Sequence, residues 1–98
     1  MPPKPHILIV DDEAGIRESL SSILTDEGYL AESADSAERA IERSAHGGLD
    51  VVLLDVWLPG MDGLEALSRI QTLPHPPAVI MISGHATIDT AVQYSQVL

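Results

Sequence analysis

With 98 residues, the chain is long enough for one small domain. It has 15 acidic residues against 5 lysines and arginines, a formal net charge of −10 at pH 7. This balance argues against direct binding to nucleic acids or anionic membranes, because both need a basic surface. The sequence has no cysteine, which excludes disulfides and thiolate chemistry, and no apolar run of membrane-spanning length. Residues 1–6 lack the apolar stretch of a signal peptide, and we expect a cytoplasmic protein.

The first helix is predicted after an apolar run at residues 7–10. Residues 14–27 carry a set of apolar side chains on one helical face, namely Ile16, Leu20, Ile23 and Leu24. Gly28 then ends the helix as a left-handed C-terminal residue would. A brief strand is expected over residues 29–33.

A second helix is predicted around Ala37, Ala40 and Ile41. Its N-cap is either Asp35 or Ser36, and Glu38, three residues after Asp35, fits a capping box. The segment His46-Gly47-Gly48 ends this helix.

Strand and helix patterns continue to alternate in the second half of the chain. A strand at residues 51–54 and a loop at 58–63 lead to a third helix with Leu64, Leu67 and Ile70. Three prolines in residues 74–77 break the chain before a strand at 78–82, and a fourth helix is expected from Ile88 to about Leu98. This strict alternation predicts an α/β fold with right-handed crossovers.

Three apolar runs rich in valine and isoleucine end in polar residues. The runs at 7–10, 51–54 and 78–82 predict parallel strands buried on both faces. The polar residues that follow them are Asp11 with Asp12, then Asp55, and finally Ser83. Groups just beyond the carboxyl ends of neighbouring parallel strands converge on one crevice. We therefore expect three carboxylates and a hydroxyl to meet at one point.

Clustered carboxylates call for a cation. Two like charges about 4 Å apart repel by about 4 kcal/mol at an effective dielectric constant near 20. Carboxylates with water and carbonyl oxygens suit a hard divalent ion, and Mg²⁺ tends to bring phosphate with it. Beside such an ion, Asp55 could attack a phosphorus centre and form an acyl phosphate.

The segments that carry these residues resemble a known family. IVDDE (9–13), LDVWLPGMDG (54–63) and MISGHA (81–86) are similar to the receiver domain of bacterial two-component response regulators. The stretch SGHATIDTAV (83–92) most resembles receivers of the nitrogen-regulatory class, which control an ATPase that activates transcription by an alternative sigma factor. The resemblance spans residues 1–98 and implies a flavodoxin-like three-layer sandwich with a parallel sheet in the order 2-1-3-4.

The resemblance also implies residue roles. Asp55 would accept a phosphoryl group from the phosphohistidine of a sensor histidine kinase. Mg²⁺ would be held by Asp11, Asp12, Asp55 and the backbone carbonyl of Trp57. Ser83 would be the switch hydroxyl that turns toward the phosphate. The domain would be a signalling module, not an enzyme.

Members of this family continue with a fifth strand, a lysine at its end and a fifth helix, whereas this sequence stops at Leu98. We therefore expect the receiver domain to be incomplete at its C-terminal end, and its exposed fourth strand and helix to be covered in a homodimer or by exchange of elements. Without the lysine, we expect slow or absent phosphorylation by small donors such as acetyl phosphate.

Two other functions stay open. One is an interaction module that dimerises and is not phosphorylated. The other is a Mg²⁺-dependent phosphohydrolase, which typically needs a second aspartate two residues after the nucleophile, where this chain has Trp57. The four histidines lack metal-ligand spacing and are predicted to be exposed loop residues.

Overall fold

The chain is described by a computed structural model over residues 3–82. Within that range four strands alternate with three helices. In chain order the elements are β1 (His6–Val10), α1 (Ala14–Asp26), β2 (Leu30–Ala34), α2 (Ala37–Ala45), β3 (Val51–Asp55), α3 (Gly63–Gln71) and β4 (Ala78–Ile82). The predicted fourth helix lies outside the described residues. None of the helices in residues 3–82 is both long enough and apolar enough to cross a lipid bilayer.

The four strands form one parallel sheet in the order β2-β1-β3-β4. The predicted α/β class and strand order are therefore confirmed. Val10 at the end of β1 pairs with Leu54 near the end of β3, so residues that follow these two strands emerge side by side. The strand register thus brings the predicted site residues to one edge of the sheet.

One face of the sheet carries the main core. Alternate residues of β1 and β3 point to this face and pack against buried side chains of α2 and α3. The core residues of the two strands are Leu8, Val10, Val52 and Leu54, and those of the two helices are Ala37, Ala40, Ala66, Leu67 and Ile70. Met61 is also buried in this core.

The opposite face is covered unevenly. Ile9, Leu53 and Ile80 form one row across β1, β3 and β4, because each pairs with the next in register. Ile9 is 0% exposed, Leu53 is half-buried and Ile80 is 41% exposed. The prediction that all three apolar runs are buried on both faces is therefore wrong for β4. Among the described elements β4 is the last strand of the sheet, and α1 packs against β1 and β2 instead.

The first helix keeps much of its apolar face in contact with solvent. No residue of α1 is fully buried, and Ile23, predicted on the apolar face, is 57% exposed. The predicted stop at Gly28 is confirmed, since this glycine has a φ of 93° directly after the C-cap Glu27.

Side-chain caps begin the other two helices. Ser36 is the N-cap of α2 and accepts a hydrogen bond from the Arg39 amide at 3.2 Å. The predicted capping box of Asp35 and Glu38 is wrong, and Asp35 instead forms an ion pair with Arg39 at 3.5 Å. Asp62 caps α3 by accepting a hydrogen bond from the Leu64 amide at 2.8 Å.

Candidate functional site

Three carboxylates meet at the carboxyl edge of the sheet. Asp11 and Asp12 follow β1, and Asp55 is the last residue of β3. One carboxylate oxygen of each lies within 4.8 Å of the others. The adjacency of β1 and β3 causes this convergence, as expected from the sequence. Ser83, predicted to join the cluster, lies outside the described residues.

Asp11 is fully buried and is held at three of its polar atoms. Its amide donates to the Ala34 carbonyl at 3.2 Å, and its carbonyl accepts from Nη1 of Arg17 at 2.7 Å. Its Oδ1 accepts from the Glu13 amide at 2.9 Å. Oδ2 is also buried, and no group in residues 3–82 donates a hydrogen bond to it. Its backbone groups and one carboxylate oxygen thus fix the position of Asp11.

Asp55 is also fully buried, and the loop after β3 holds it. The Trp57 amide donates to Asp55 Oδ1 at 3.1 Å. The Val56 amide donates to the Ile82 carbonyl at 2.9 Å, which ties the start of the same loop to the end of β4. Trp57 is 51% exposed, so this loop is open to solvent at its tryptophan.

The cluster is open to solvent on one side, and its buried Asp11 Oδ2 has no hydrogen-bond donor in residues 3–82. Asp12 is exposed, whereas Asp11 and Asp55 are buried, so the cluster opens to solvent on the Asp12 side. A buried carboxylate oxygen with no donor is costly, because desolvation is not offset by a hydrogen bond. A divalent cation would satisfy Asp11 Oδ2, and an all-oxygen donor set of three carboxylates suits Mg²⁺. The residues at this edge therefore fit the predicted ion.

Gly63, the first residue of α3, is packed closely against its surroundings. A Cβ atom on Gly63 would lie 3.0 Å from Met81 Cε and 3.1 Å from both Cα and the carbonyl oxygen of Val56. The lack of a side chain at Gly63 therefore lets the start of α3 lie close to the Val56 backbone and to Met81 of β4.

Two contacts near the sheet were not predicted. One is the hydrogen bond from Arg17 to the Asp11 carbonyl. The other is a charged group at β2, where Glu32 contacts both His6 and Arg43. The prediction that His6 is an exposed loop residue is wrong, since His6 opens β1 and is half-buried. A lone basic residue in a helix gives no sequence signal for such long-range contacts.

A parallel sheet in the order β2-β1-β3-β4 with an acid cluster at its carboxyl edge is the arrangement expected of a receiver domain, and direct comparison with known proteins agrees. The family model of the response regulator receiver domain matches residues 7–97. The chain therefore belongs to the response regulator receiver domain family, as predicted from its motifs.

Individual relatives support the same assignment. The nitrogen assimilation regulatory protein NtrX of Azorhizobium caulinodans is 47% identical over 89 residues, covering 88% of this chain and 19% of that protein. The beryllofluoride-activated NtrC4 receiver domain dimer is 37% identical with a TM-score of 0.79, covering 93% of this chain and 75% of that chain. A chain in the complex of histidine kinase ThkA with response regulator protein TrrA is 34% identical with a TM-score of 0.78, covering 86% and 72%. The chain spans about a fifth of the length of the first curated relatives it matches.

Proposed function

We propose that this receiver domain accepts a phosphoryl group on Asp55 from the phosphohistidine of a sensor histidine kinase. The observation that carries the proposal is the burial of Asp55 at the end of β3, with carboxylate oxygens of Asp11 and Asp12 within 4.8 Å. Membership of the receiver family and the similarity to a structure of a kinase with its response regulator support it.

The transfer needs no proton from Asp55, because an ionised carboxylate is already a nucleophile. One carboxylate oxygen forms a bond to phosphorus while the bond from phosphorus to the imidazole nitrogen breaks. The electron pair of the broken bond stays on the imidazole nitrogen, and the product is an acyl phosphate. The hydrogen bond from the Trp57 amide to Oδ1 orients the carboxylate for this attack.

We propose that Asp11, Asp12, Asp55 and the Trp57 carbonyl hold Mg²⁺. When bound, Mg²⁺ neutralises charge on the transferring phosphoryl group. The buried Asp11 Oδ2, with no donor within residues 3–82, supports this assignment. In this proposal Ser83 donates a hydrogen bond from its hydroxyl to the phosphoryl oxygens. We also propose a transcriptional output, which is supported by the similar FixJ of Bradyrhizobium diazoefficiens, named a transcriptional regulatory protein.

The test is phosphotransfer from a histidine kinase that has been autophosphorylated with radiolabelled ATP. Label should move to this chain in the presence of Mg²⁺ and be lost in acid or hydroxylamine, as acyl phosphates are. Asp55→Asn should abolish labelling, whereas Asp50→Asn, directly before the opposite end of β3, should be labelled like the wild type. Equal labelling of Asp55→Asn would contradict the proposal.

A second candidate function is self-association through β4. Ile80 is 41% exposed on this strand at the edge of the described sheet, and the similar NtrC4 receiver is a dimer. We therefore also propose a homodimer that covers β4. Light scattering at micromolar concentration should give twice the monomer mass, and Ile80→Glu should halve it while Ile23→Glu, on the exposed side of α1, should not. A monomeric wild type would contradict this candidate.

A further inference from the structure

One of the hydrogen bonds of Asp11 comes from a side chain outside the acid cluster. Of the four polar atoms of Asp11, three are engaged in hydrogen bonds within the described chain. Two of the three partners are backbone groups, of Ala34 and Glu13. Arg17 is the third, and among residues 3–82 it is the partner that uses a side chain. A substitution at Arg17 is therefore the direct way to release the Asp11 backbone.

Two hydrogen bonds of Arg17 join the start of α1 to the segment before it. Arg17 lies one turn into α1, and its amide bonds to the Glu13 carbonyl at 3.1 Å. Its side chain then reaches back to the Asp11 carbonyl at 2.7 Å in a partly buried position. Arg17 thus ties the short segment that carries Asp11 and Asp12 to the first turn of α1.

We propose that Arg17 is a positioning residue for the divalent cation: its hydrogen bond to the Asp11 carbonyl holds the carboxylates of Asp11 and Asp12 in the geometry that binds the ion. This inference rests on the metal site of the proposed function. Contacts of this kind, which orient a ligand without touching the ion, typically change metal affinity by about 10- to 100-fold when removed.

The charge of Arg17 and its positioning role predict opposite effects of Arg17→Met on the affinity for Mg²⁺. Arg17 carries a positive charge close to a cation site, so its charge alone weakens binding of a divalent ion. If charge were its whole effect, Arg17→Met would bind Mg²⁺ more tightly. If Arg17 acts by holding Asp11 in place, Arg17→Met binds Mg²⁺ more weakly in spite of the lost charge.

The experiment is a titration of the metal-free protein with Mg²⁺, followed by Trp57 fluorescence and by calorimetry. We expect the Kd of Arg17→Met to rise about tenfold. Arg17→Lys, which keeps the charge and a donor, should recover most of the affinity. The matched control is Arg69→Met in the last turn of α3, which loses the same charge and should keep the wild-type Kd.

A readout without metal separates local positioning from general destabilisation. In metal-free Arg17→Met, hydrogen exchange should accelerate at the Glu13 amide, which is bonded to Asp11 Oδ1, while amides within β3 keep their protection. A uniform loss of protection would mean that Arg17 only stabilises the fold, and it would overturn the proposal. Should Arg17→Met not fold, the comparison of Arg17→Gln with Arg17→Lys reads the same effect, with Arg17→Gln expected to bind more weakly.

The failures of the two proposals are distinguishable. A wild-type protein that shows no heat and no fluorescence change with Mg²⁺ would overturn the metal site and, with it, the role of Arg17. A wild-type protein that binds Mg²⁺ while Arg17→Met binds equally or more tightly would overturn the role of Arg17 alone and leave the metal site standing.

Discussion

Arg43 in α2 binds Glu32 in β2 through two parallel hydrogen bonds, from Nε to Oε1 at 2.9 Å and from Nη2 to Oε2 at 2.8 Å. A planar guanidinium matches a carboxylate in this way, and such bidentate pairs are the stronger kind. Nη1 of the same arginine donates to the Gly47 carbonyl at 2.7 Å just after α2. The contacts of Arg43 therefore tie the C-terminal end of α2 and the turn that follows it to β2, at the edge of the described sheet.

This pair predicts an acid-dependent contribution to stability. The hydrogen bond from Arg43, with its charge and that of His6, holds the pKa of Glu32 below its ordinary value, against the opposing effect of burial. Because the folded pKa is lowered, the contribution is complete above the unfolded value of about 4.5 and is lost as pH falls through the folded value. We expect Glu32→Gln to be less stable than the wild type at pH 7, with a difference that shrinks below pH 4.5, as measured by urea unfolding.

The control for this measurement is Glu65→Gln. Glu65 pairs with Arg69 at 3.1 Å, but both side chains are more than half exposed, and such surface pairs contribute little. Its stability curve against pH should run close to that of the wild type. A difference between Glu32→Gln and wild type that does not change with pH would show that the Glu32 carboxylate is not held ionised by the fold.

Removing a carboxylate from the acid cluster should raise the melting temperature of the metal-free protein and reduce its further rise on adding Mg²⁺. Asp12→Asn removes one of three clustered negative charges, so the metal-free protein should melt at a higher temperature than the wild type. The same change removes a proposed Mg²⁺ ligand, so the rise in melting temperature on adding Mg²⁺ should shrink. Differential scanning calorimetry with and without Mg²⁺ measures both effects. Glu42→Gln on the exposed side of α2 changes the net charge equally and should keep the wild-type response to Mg²⁺; a full response in Asp12→Asn would argue against the metal site.

Much of the fold was predictable because its signals are local. Apolar runs between helical patterns mark β1 and β3, which are the two central strands of the described sheet. The approach of Asp11 to Asp55 was predictable for the same reason, since it follows from strand adjacency. These conclusions depend on the order of elements and not on any side-chain contact.

The errors concern features that neighbouring elements decide. The composition of β4 matches a buried strand, yet Ile80 is exposed because burial depends on what lies beside the strand. Asp35 and Ser36 are equally good N-cap candidates in the sequence. In the structure α2 begins at Ala37, so the residue directly before it, Ser36, is the N-cap. The hydrogen bond of Arg17 joins a helix to a loop end, which no sequence period encodes.

The uneven coverage of the sheet predicts a large difference between two isoleucines in helices. Ile70 in α3 is 0% exposed and belongs to the main core, whereas Ile23 in α1 is 57% exposed. We expect Ile70→Ala to lower the free energy of unfolding by about 2–5 kcal/mol, because it leaves a cavity in a packed core. Ile23→Ala should change it by less than about 1 kcal/mol, since exposed positions tolerate truncation. Similar losses in urea unfolding would show that α1 is more covered in solution than in this structure.

Gly63, at the start of α3, gives the strictest packing prediction. A methyl group there would meet the Val56 backbone at 3.1 Å, which cannot move aside as the flexible end of Met81 can. Gly63→Ala should therefore destabilise the protein by about 1–3 kcal/mol, even though alanine favours helices over glycine. Gly15→Ala in the first turn of α1 is the matched control, because a Cβ there meets nothing within 4 Å, and it should be neutral or stabilising. If urea unfolding gave equal stabilities for Gly63→Ala and Gly15→Ala, the close contact of Gly63 with Val56 would not exist in solution.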